Sequence, residues 1–483
     1  MRLKKNFSGK YSTLHRRKEG KEGTRIKPPI KLEEHRVSDL FTGVRGIAVK
    51  VLNRIERSDT HLERLLDHEI RNNDLNPQDK ALLYEIVHGV IRWTGRLDWI
   101  LSGFYKGQFS KAIPILKNAL RVALYQILFL DKVPEFAAVN EAVEFVKKLQ
   151  GQKPADITNA VLRNIIRSKN SLRYPDPGEN LVGYYASYLS HPSWLVKRWL
   201  GRYGTSGTEA LLIANNERPA LTLRVNKLKT DVEKLKELMA SVDLKFSQGK
   251  YLPEYFRLTN LTNITQWQYF TEGYFNIQDE SAGFACKLIG AEPGMRILDM
   301  CAAPGGKTVF LADEMKNSGE IVALDRFEVR IQSLQKNLER LGITNVKAEA
   351  KDAIEYQTEQ LFDRILIDAP CSGLGTLSKK PDIKWKKELI DIHRLNDEQN
   401  ALINKAAILL KVGGRMVYST CTIEPEENID IVHKFLAANP NFRLVPVKGM
   451  VPDEVIDSHG CVQTLPHIHK IDGAFAALIE RIK

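Results

Sequence analysis

The 483-residue chain has little cysteine, and none of its five cysteines, at 286, 301, 371, 421 and 461, belongs to a Cys-x-x-Cys pair. The usual zinc and disulfide frameworks are thereby excluded, and no metal is expected. It has no run approaching the ~18 uninterrupted apolar residues that a membrane span requires, and no charged-then-apolar opening of the secretory kind. Internal repeats and long low-complexity segments are also missing. These absences predict a protein of the reducing cytoplasm without membrane contact. Two phosphate-binding patterns fail as well. A P-loop ending in Gly306-Lys307-Thr308 would need glycine where Cys301 stands, and Pro304-Gly305-Gly306 lacks the Gly-x-Gly-x-x-Gly spacing of a dinucleotide site.

Hydrophobic residues make up 43% of the chain and charged residues 27%, the balance of an ordinary globular protein. Single cores rarely grow past about 250 to 300 residues, so more than one domain is expected. The net charge of +12 points to a polyanionic partner but is unevenly spread. Residues 1 to 36 hold 12 Lys or Arg against 4 Asp or Glu. A basic arm over residues 1 to 38, too poor in apolar residues to fold alone, is expected to be disordered and either to bind phosphates or to act as a solubilising tail.

From residue 39 to 168 the pattern is helical. Leu116, Leu120, Leu124 and Leu128 recur every four residues, Val139, Val143 and Val146 mark another apolar face, and Gly151-Gln-Lys-Pro154 separates the last two helices. This all-α bundle resembles the RNA-binding domain of the antitermination factor NusB. Residues 169 to 180, with Pro175, Pro177 and Gly178, read as a linker. Residues 181 to 283 then form a small α/β unit: a helix carrying Trp194, Lys197, Arg198 and Trp199, a strand Leu221-Thr-Leu-Arg-Val-Asn226, and a helix from Asp231 to about Ala240. Aromatics among cations suit RNA bases and phosphates, although an amphipathic helix burying its tryptophans has the same pattern.

Residues 284 to 483 read as an α/β Rossmann-like domain. Arg296-Ile-Leu-Asp-Met-Cys-Ala-Ala-Pro-Gly-Gly-Lys-Thr308 is a strand, a small-residue loop and a helix start, where Gly305 and Gly306 would let a small nucleoside-like ligand approach backbone N–H groups. A glycine turn without ligand is the alternative. Further strand-like runs end at or just before Asp325, Asp352 and Asp368. In an open parallel sheet, carboxyl ends of strands are where ligands bind, so the four acids, with Asp299, should converge on one crevice.

Two cysteines stand just past buried strands, in Asp368-Ala-Pro-Cys-Ser-Gly373 and in Tyr418-Ser-Thr-Cys-Thr-Ile-Glu-Pro-Glu-Glu-Asn428. Cysteine thiolate is a soft nucleophile. Added to carbon 6 of cytosine, it makes carbon 5 nucleophilic enough to take a methyl group, after which the adduct must lose its carbon-5 proton and expel the thiol. A second group near the first therefore has a task.

With Lys380-Pro-Asp-Ile-Lys-Trp385, these motifs make the chain, from about residue 41 onward, resemble the RNA cytosine-5 methyltransferases of the Nop/Sun type. The resemblance implies a class I methyltransferase fold, S-adenosyl-L-methionine as methyl donor, and RNA, small-subunit ribosomal RNA in particular, as substrate. Residues Cys301, Ala302, Ala303, Pro304, Gly305, Gly306 and Lys307 would line the cofactor. Asp325 would hold its ribose, Asp352 would lie by its adenine, and Asp368 would face both its methionine end and the target base. Cys421 would be the nucleophile and Cys371 would assist release. A DNA cytosine-5 methyltransferase, in which the Pro-Cys cysteine attacks, would move the first role to Cys371. A non-catalytic RNA-binding antitermination or assembly factor is the remaining alternative. A monomer is expected. At Asp472-Gly-Ala-Phe475 the chain departs from the family's usual Gly-Phe-Phe.

Overall fold

The computed structural model describes residues 41–58, 60, 62–242, 244–259 and 264–483; the basic arm lies outside them. Among the described residues seven α-helices come first: α1 (Gly43–Ile55), α2 (Leu62–Asn72), α3 (Pro77–Arg92), α4 (Thr94–Phe104), α5 (Pro114–Phe129), α6 (Glu135–Gln150) and α7 (Gln152–Arg167). Their stripes meet in one core, where Leu116, Leu120, Leu124, Val139 and Val146 are buried and Leu128 and Val143 pack at the margin. The start of α3 combines Pro77 with the Asn76 side chain, which accepts the Asp79 N–H and so satisfies one of the free first-turn donors. Gly151 alone, at φ 85°, divides α6 from α7. Pro154 lies inside the first turn of α7, not between helices as the Gly151–Pro154 run suggested, because proline costs no hydrogen bond there.

Helices α8 (Leu181–Tyr188) and α9 (Ser193–Asn216, broken at Gly204 with φ 65°) follow. They bury Tyr185, Leu195 and Trp199 against Leu374, Leu377, Ile392 and Ile423, and so pack on the catalytic unit. Trp199 has no exposed surface and donates Nε1–H to Glu424 Oε1 at 2.9 Å; Arg198 is ion-paired to Glu424 and Glu426, and Arg202 to Glu424 at 2.9 Å. Arg198 and Trp199 of this run thus serve packing and charge pairing, while Lys197 is exposed. The stacking of Trp199 on RNA bases that its composition suggested is sterically closed.

A small antiparallel sheet is ordered β2-β3-β1-β4, from β1 (Leu221–Val225), β2 (Phe246–Gln248), β3 (Tyr255–Leu258) and β4 (Phe275–Ile277). It is covered by α10 (Val232–Ser241), which Asp231 caps by accepting the Lys234 N–H. After β4, helix α11 (Glu280–Ile289) packs as a whole against the large sheet, although the expected domain border at 283 would cut through it.

The large sheet is built from β5 (Arg296–Asp299), α12 (Gly306–Glu314), β6 (Glu320–Asp325), α13 (Glu328–Leu341), β7 (Val346–Ala350), β8 (Phe362–Asp368), α14 (Leu389–Leu409), β9 (Leu410–Thr420), α15 (Ile429–Ala438), β10 (Phe442–Val445), β11 (Val462–Thr464) and β12 (Ala474–Arg481). Its order is β10-β12-β9-β8-β5-β6-β7, with β11 beside β12. The strands from β9 to β7 are parallel, and β10, β11 and β12 pair antiparallel. Strand order reverses between β5 and β8, which places a ligand crevice over their carboxyl ends. The chain's departure near Gly473 is accommodated: β12 pairs with β9 from Phe475↔Thr420 to Glu480↔Arg415.

The bundle and the catalytic unit meet at the segment 378–386. Lys384, fully buried, donates to Arg92 O at 2.9 Å and Asn216 Oδ1 at 3.1 Å, and Trp385 Nε1–H donates to Ile91 O at 2.7 Å. Arg92 Nη2 returns a hydrogen bond to Ser378 O at 2.8 Å. The carbonyls ending α3 lack partners within their own helix, so this strap satisfies them with donors. Among the described residues no helix is long and apolar enough to cross a membrane.

Candidate active site

Parallel pairing brings the strand-terminal residues to one edge. Asp299 is level with Ala323 and Leu366, Asp325 with Ala350, and Asp368 with Ser419, two residues before Cys421. The expected convergence of acids and cysteines is therefore a property of the sheet register.

The two cysteines touch. Sγ of Cys371 lies 3.3 Å from Sγ of Cys421, and the Cys421 N–H donates to Cys371 Sγ at 3.4 Å. Their loops are bound together from below. Glu427, with no exposed surface, accepts from the Ser372 N–H at 2.7 Å, from Ser372 Oγ at 2.5 Å and from Gln399 Nε2 at 3.2 Å. Gln399 also donates to Pro370 O at 2.9 Å, and the Tyr418 hydroxyl to Glu427 O at 2.7 Å. Burial pushes the Glu427 carboxyl up against the pull of these hydrogen bonds. Glycine is required at 375: its N–H donates to Cys421 O and its carbonyl accepts from the Gly473 N–H, at 3.1 and 2.8 Å, and a Cβ there would stand 2.0 Å from Gly473 O.

The surroundings of the two sulfurs differ in sign. Cys371, hydrogen-bonded to Cys421 and largely desolvated, has its thiol pushed well up, with the Glu427 charge adding to the effect and the Cys421 N–H opposing it. Cys421 receives the Cys371 hydrogen bond and lies near Lys380 and Lys307, which draw its thiol down against burial and the charge of Asp368. The shared proton is thus favoured on Cys371, and Cys421 is the more acidic thiol of the pair. Lys307 Nζ is ion-paired with Asp368 at 2.7 Å; burial works against the ammonium, but the carboxylate raises it. Ser419 Oγ donates to the other oxygen of Asp368 at 3.2 Å.

Cys301, Asp325 and Asp352 line a shared pocket beside this centre, with Phe327, Arg330 and Glu398. Asp325 accepts the Phe327 N–H at 3.0 Å and meets Arg330 at 3.4 Å; Asp352 accepts the Ile354 N–H at 2.9 Å. Arg326 bridges Asp352 and Glu398 at 3.1 and 2.7 Å. The loop from Cys301 through Ala302, Ala303, Pro304, Gly305 and Gly306 to Lys307 joins that pocket to the cysteines. Gly305 has φ 105°, and a Cβ there would overlap Leu334 at 2.3 Å. Its glycine therefore answers to conformation and to packing on α13, not to ligand approach alone. At Gly306 a Cβ would meet nothing closer than Gln278 Nε2 at 3.4 Å.

Two polar atoms flank this loop without partners. Asp299 Oδ2 accepts from Thr308 Oγ1 at 2.7 Å, while its Oδ1 is buried and unbonded. Burial raises its carboxyl to about 7. Gln278 Nε2 is likewise buried and unbonded. Orphaned buried polar atoms are costly and rare, so an acceptor and a donor beside one glycine loop fit a polar ligand group seated there. Sequence reasoning did not single out Gln278, Glu427, Gln399, Arg326 or Glu398. Glu427 lay inside a quoted motif, where nothing distinguished it from Glu424 or Glu426, and Gln278 in the run Gln278-Asp-Glu-Ser281 read only as a helix start.

Comparison with known proteins agrees along the chain. A family described as 16S rRNA methyltransferase RsmB/F matches residues 287–480, the NusB family matches 42–167, and a ferredoxin-like domain of RsmF/B-like methyltransferases matches 191–265. A probable ribosomal RNA small subunit methyltransferase B of Bacillus subtilis is 36% identical over 442 residues, 90% of this chain and 98% of that one. A protein of the same description from Synechocystis is 34% identical over 90% of this chain and 99% of its own. The crystal structure of PH0851, 28% identical, superposes with a TM-score of 0.78 over 91% of this chain and 99% of that one.

Proposed function

We propose, from the premise that this chain belongs to the RsmB/F family of 16S rRNA methyltransferases, that it methylates carbon 5 of a cytosine in small-subunit ribosomal RNA through a covalent bond between Cys421 and the base. The observation that carries this reading is the cysteine pair, with sulfurs 3.3 Å apart and opposite electrostatic surroundings. S-adenosyl-L-methionine, when bound, supplies an activated methyl group on its sulfonium sulfur. In this reading the Cys301–Lys307 loop lines the cofactor, Asp325 takes the ribose hydroxyls, Asp352 lies by the adenine and Asp368 faces the methionine end and the base. Such a substrate places the protein in the cytoplasm, with the basic arm and the NusB-like bundle available to RNA phosphates.

The residues divide the work as follows. The target base must leave its stack, which costs least in a loop or single strand. Cys421, held as thiolate by Lys380, Lys307 and the Cys371 hydrogen bond, adds to carbon 6 and drives electron density to carbon 5, which takes the methyl group. Asp368, oriented by Lys307 and Ser419, hydrogen-bonds the base edge. Release requires carbon 5 to give up its proton while the bond between carbon 6 and sulfur breaks and the electron pair returns to Cys421. Cys371, 3.3 Å from the Cys421 sulfur, is assigned the proton relay of that step: its thiol proton passes to the departing Cys421 sulfur, and it takes the carbon-5 proton in exchange. A DNA-type arrangement, with Cys371 attacking, would set the nucleophile next to Glu427 and away from the lysines.

Transfer of tritiated methyl groups to RNA and to DNA, with denaturing electrophoresis of the products, tests this reading. The expected result is methylation of RNA, no methylation and no adduct with Cys421→Ala, and a stalled protein–RNA adduct with Cys371→Ala. An adduct from Cys421→Ala and none from Cys371→Ala would overturn the assignment.

A further inference from the structure

Gln278 stands between β4 of the small sheet and α11, and it is 7% exposed. Its carboxamide orientation is fixed from behind. The hydroxyl of Tyr255, on β3 and with no exposed surface, donates to Gln278 Oε1 at 2.8 Å. A buried phenol needs an acceptor, so the oxygen faces Tyr255 and the NH₂ group faces away from it. That NH₂ group has no partner and lies beside Gly306, where a Cβ would be 3.4 Å from it. Gly306 opens the nine-residue helix α12, whose N-cap Gly305 supplies no capping side chain. The free N–H groups and dipole of a helix start favour an anion. A buried amide donor aimed at the same spot has the same preference. Across the loop the unpartnered Asp299 Oδ1 has the opposite one, for a cation or another donor.

We propose that Gln278 is a ligand-binding residue whose Nε2 donates to the α-carboxylate at the amino-acid end of the methyl donor, at the N-terminus of α12. It rests on the reading of S-adenosyl-L-methionine as cofactor given above. The donor at this spot and the acceptor at Asp299 match the two charges of a free α-amino acid, carboxylate and ammonium. The small sheet thus takes part in cofactor binding through the chain Tyr255, Gln278, carboxylate, and does more than connect the bundle to the catalytic unit. Tyr255 is a positioning residue in this chain, since it acts on the ligand only through Gln278.

Calorimetric titration of the full chain with two ligands tests the proposal. S-adenosylhomocysteine carries the amino-acid end; 5′-methylthioadenosine keeps the nucleoside and the sulfur but lacks it. Gln278→Leu is expected to weaken S-adenosylhomocysteine about tenfold or more, the scale of one hydrogen bond to a charged group, and to leave 5′-methylthioadenosine within about twofold. Gln278→Glu, which sets like charge against the carboxylate, should weaken the first ligand further and again spare the second. Tyr255→Phe should give a smaller loss of the same selectivity. Undiminished binding of S-adenosylhomocysteine by both Gln278 variants, or an equal loss of both ligands in both, overturns the role of Gln278. A native chain that binds neither ligand overturns the cofactor reading itself.

Discussion

The Asp368–Gly375 loop and the Ser378–Lys386 strap are neighbours in the chain, both dense in distinctive residues, and the fold sends them in opposite directions. The loop gathers Cys371 and Asp368 at the ligand edge of the sheet. The strap turns Lys384 and Trp385 away from that edge and onto the carbonyls that end α3. Of the two lysines concerned, Lys384 at the joint is fully buried and Lys307 at the site largely so, and their partners separate them. Lys307 faces a carboxylate, which raises its proton affinity. Lys384 faces only neutral carbonyl oxygens, and its burial, with the nearby Arg92 charge, pulls it well below the ordinary lysine range. A distinctive motif marks a place where chemistry is demanding; whether the demand is reaction or attachment is decided by what lies opposite.

The contrast can be broken at either end. Glu427→Ala should have the largest effect, freeing the Cys371 loop from Cys421; methyl transfer is expected to fall by about 100-fold or more, the usual scale for ångström-sized misplacement of reacting groups. Joint integrity, read by limited proteolysis between the bundle and the sheet, should be unchanged. If activity survives, the tie between the loops is dispensable.

Lys384→Ala should do the reverse. It leaves Asn216 Oδ1 unsatisfied in a void and Arg92 O with only the Ser190 hydroxyl, at 2.9 Å, at a cost of about 3 kcal/mol, visible as a lowered thermal midpoint and faster proteolysis. Cofactor affinity should hold. A loss of cofactor affinity equal to the loss of stability would erase the distinction between strap and loop.

Asp299→Asn sharpens the comparison through pH. The native carboxyl is raised to about 7 by burial, from an ordinary value near 3.8. The folded state therefore holds a proton that the unfolded state gives up, so this contribution is full below about pH 3.8 and is lost as pH rises through 7. Denaturant unfolding from pH 4 to 8 should show native stability falling relative to Asp299→Asn; parallel curves would mean the carboxyl is not set apart by burial.

The smallest effect is expected from Trp199→Phe, which removes one hydrogen bond to Glu424, about 1–2 kcal/mol of stability, and leaves RNA affinity unchanged. A clear fall in RNA affinity at constant stability would restore the stacking role that burial closes.

The acids and cysteines were legible in the sequence because each follows a short apolar strand, and a parallel sheet brings strand ends together whatever the loops do. The helical periodicity of Leu116 to Leu128 was legible for the same local reason. Gln278, Glu427 and Lys384 were not, since each acts through a partner fixed only by the tertiary fold: Gln278 through Tyr255 and Gly306, Glu427 through Ser372, Lys384 through Arg92. Trp199 misleads for a subtler reason. An aromatic residue beside two arginines has one composition whether it waits for a base or fills a core, and only the position of Glu424 distinguishes them.

The joint at Lys384 also carries a consequence for synthesis. Its hydrogen bond to Arg92 spans 292 residues of chain, whereas the last of the seven bundle helices ends at residue 167. At typical elongation speeds of 5–20 residues per second, the strap leaves the ribosome about 15 to 60 s after the helix end it must grip. For that interval the carbonyls of Ile91 and Arg92 lack the donors of the strap, and the bundle is joined to the large sheet only when the segment 378–386 reaches back to the end of α3.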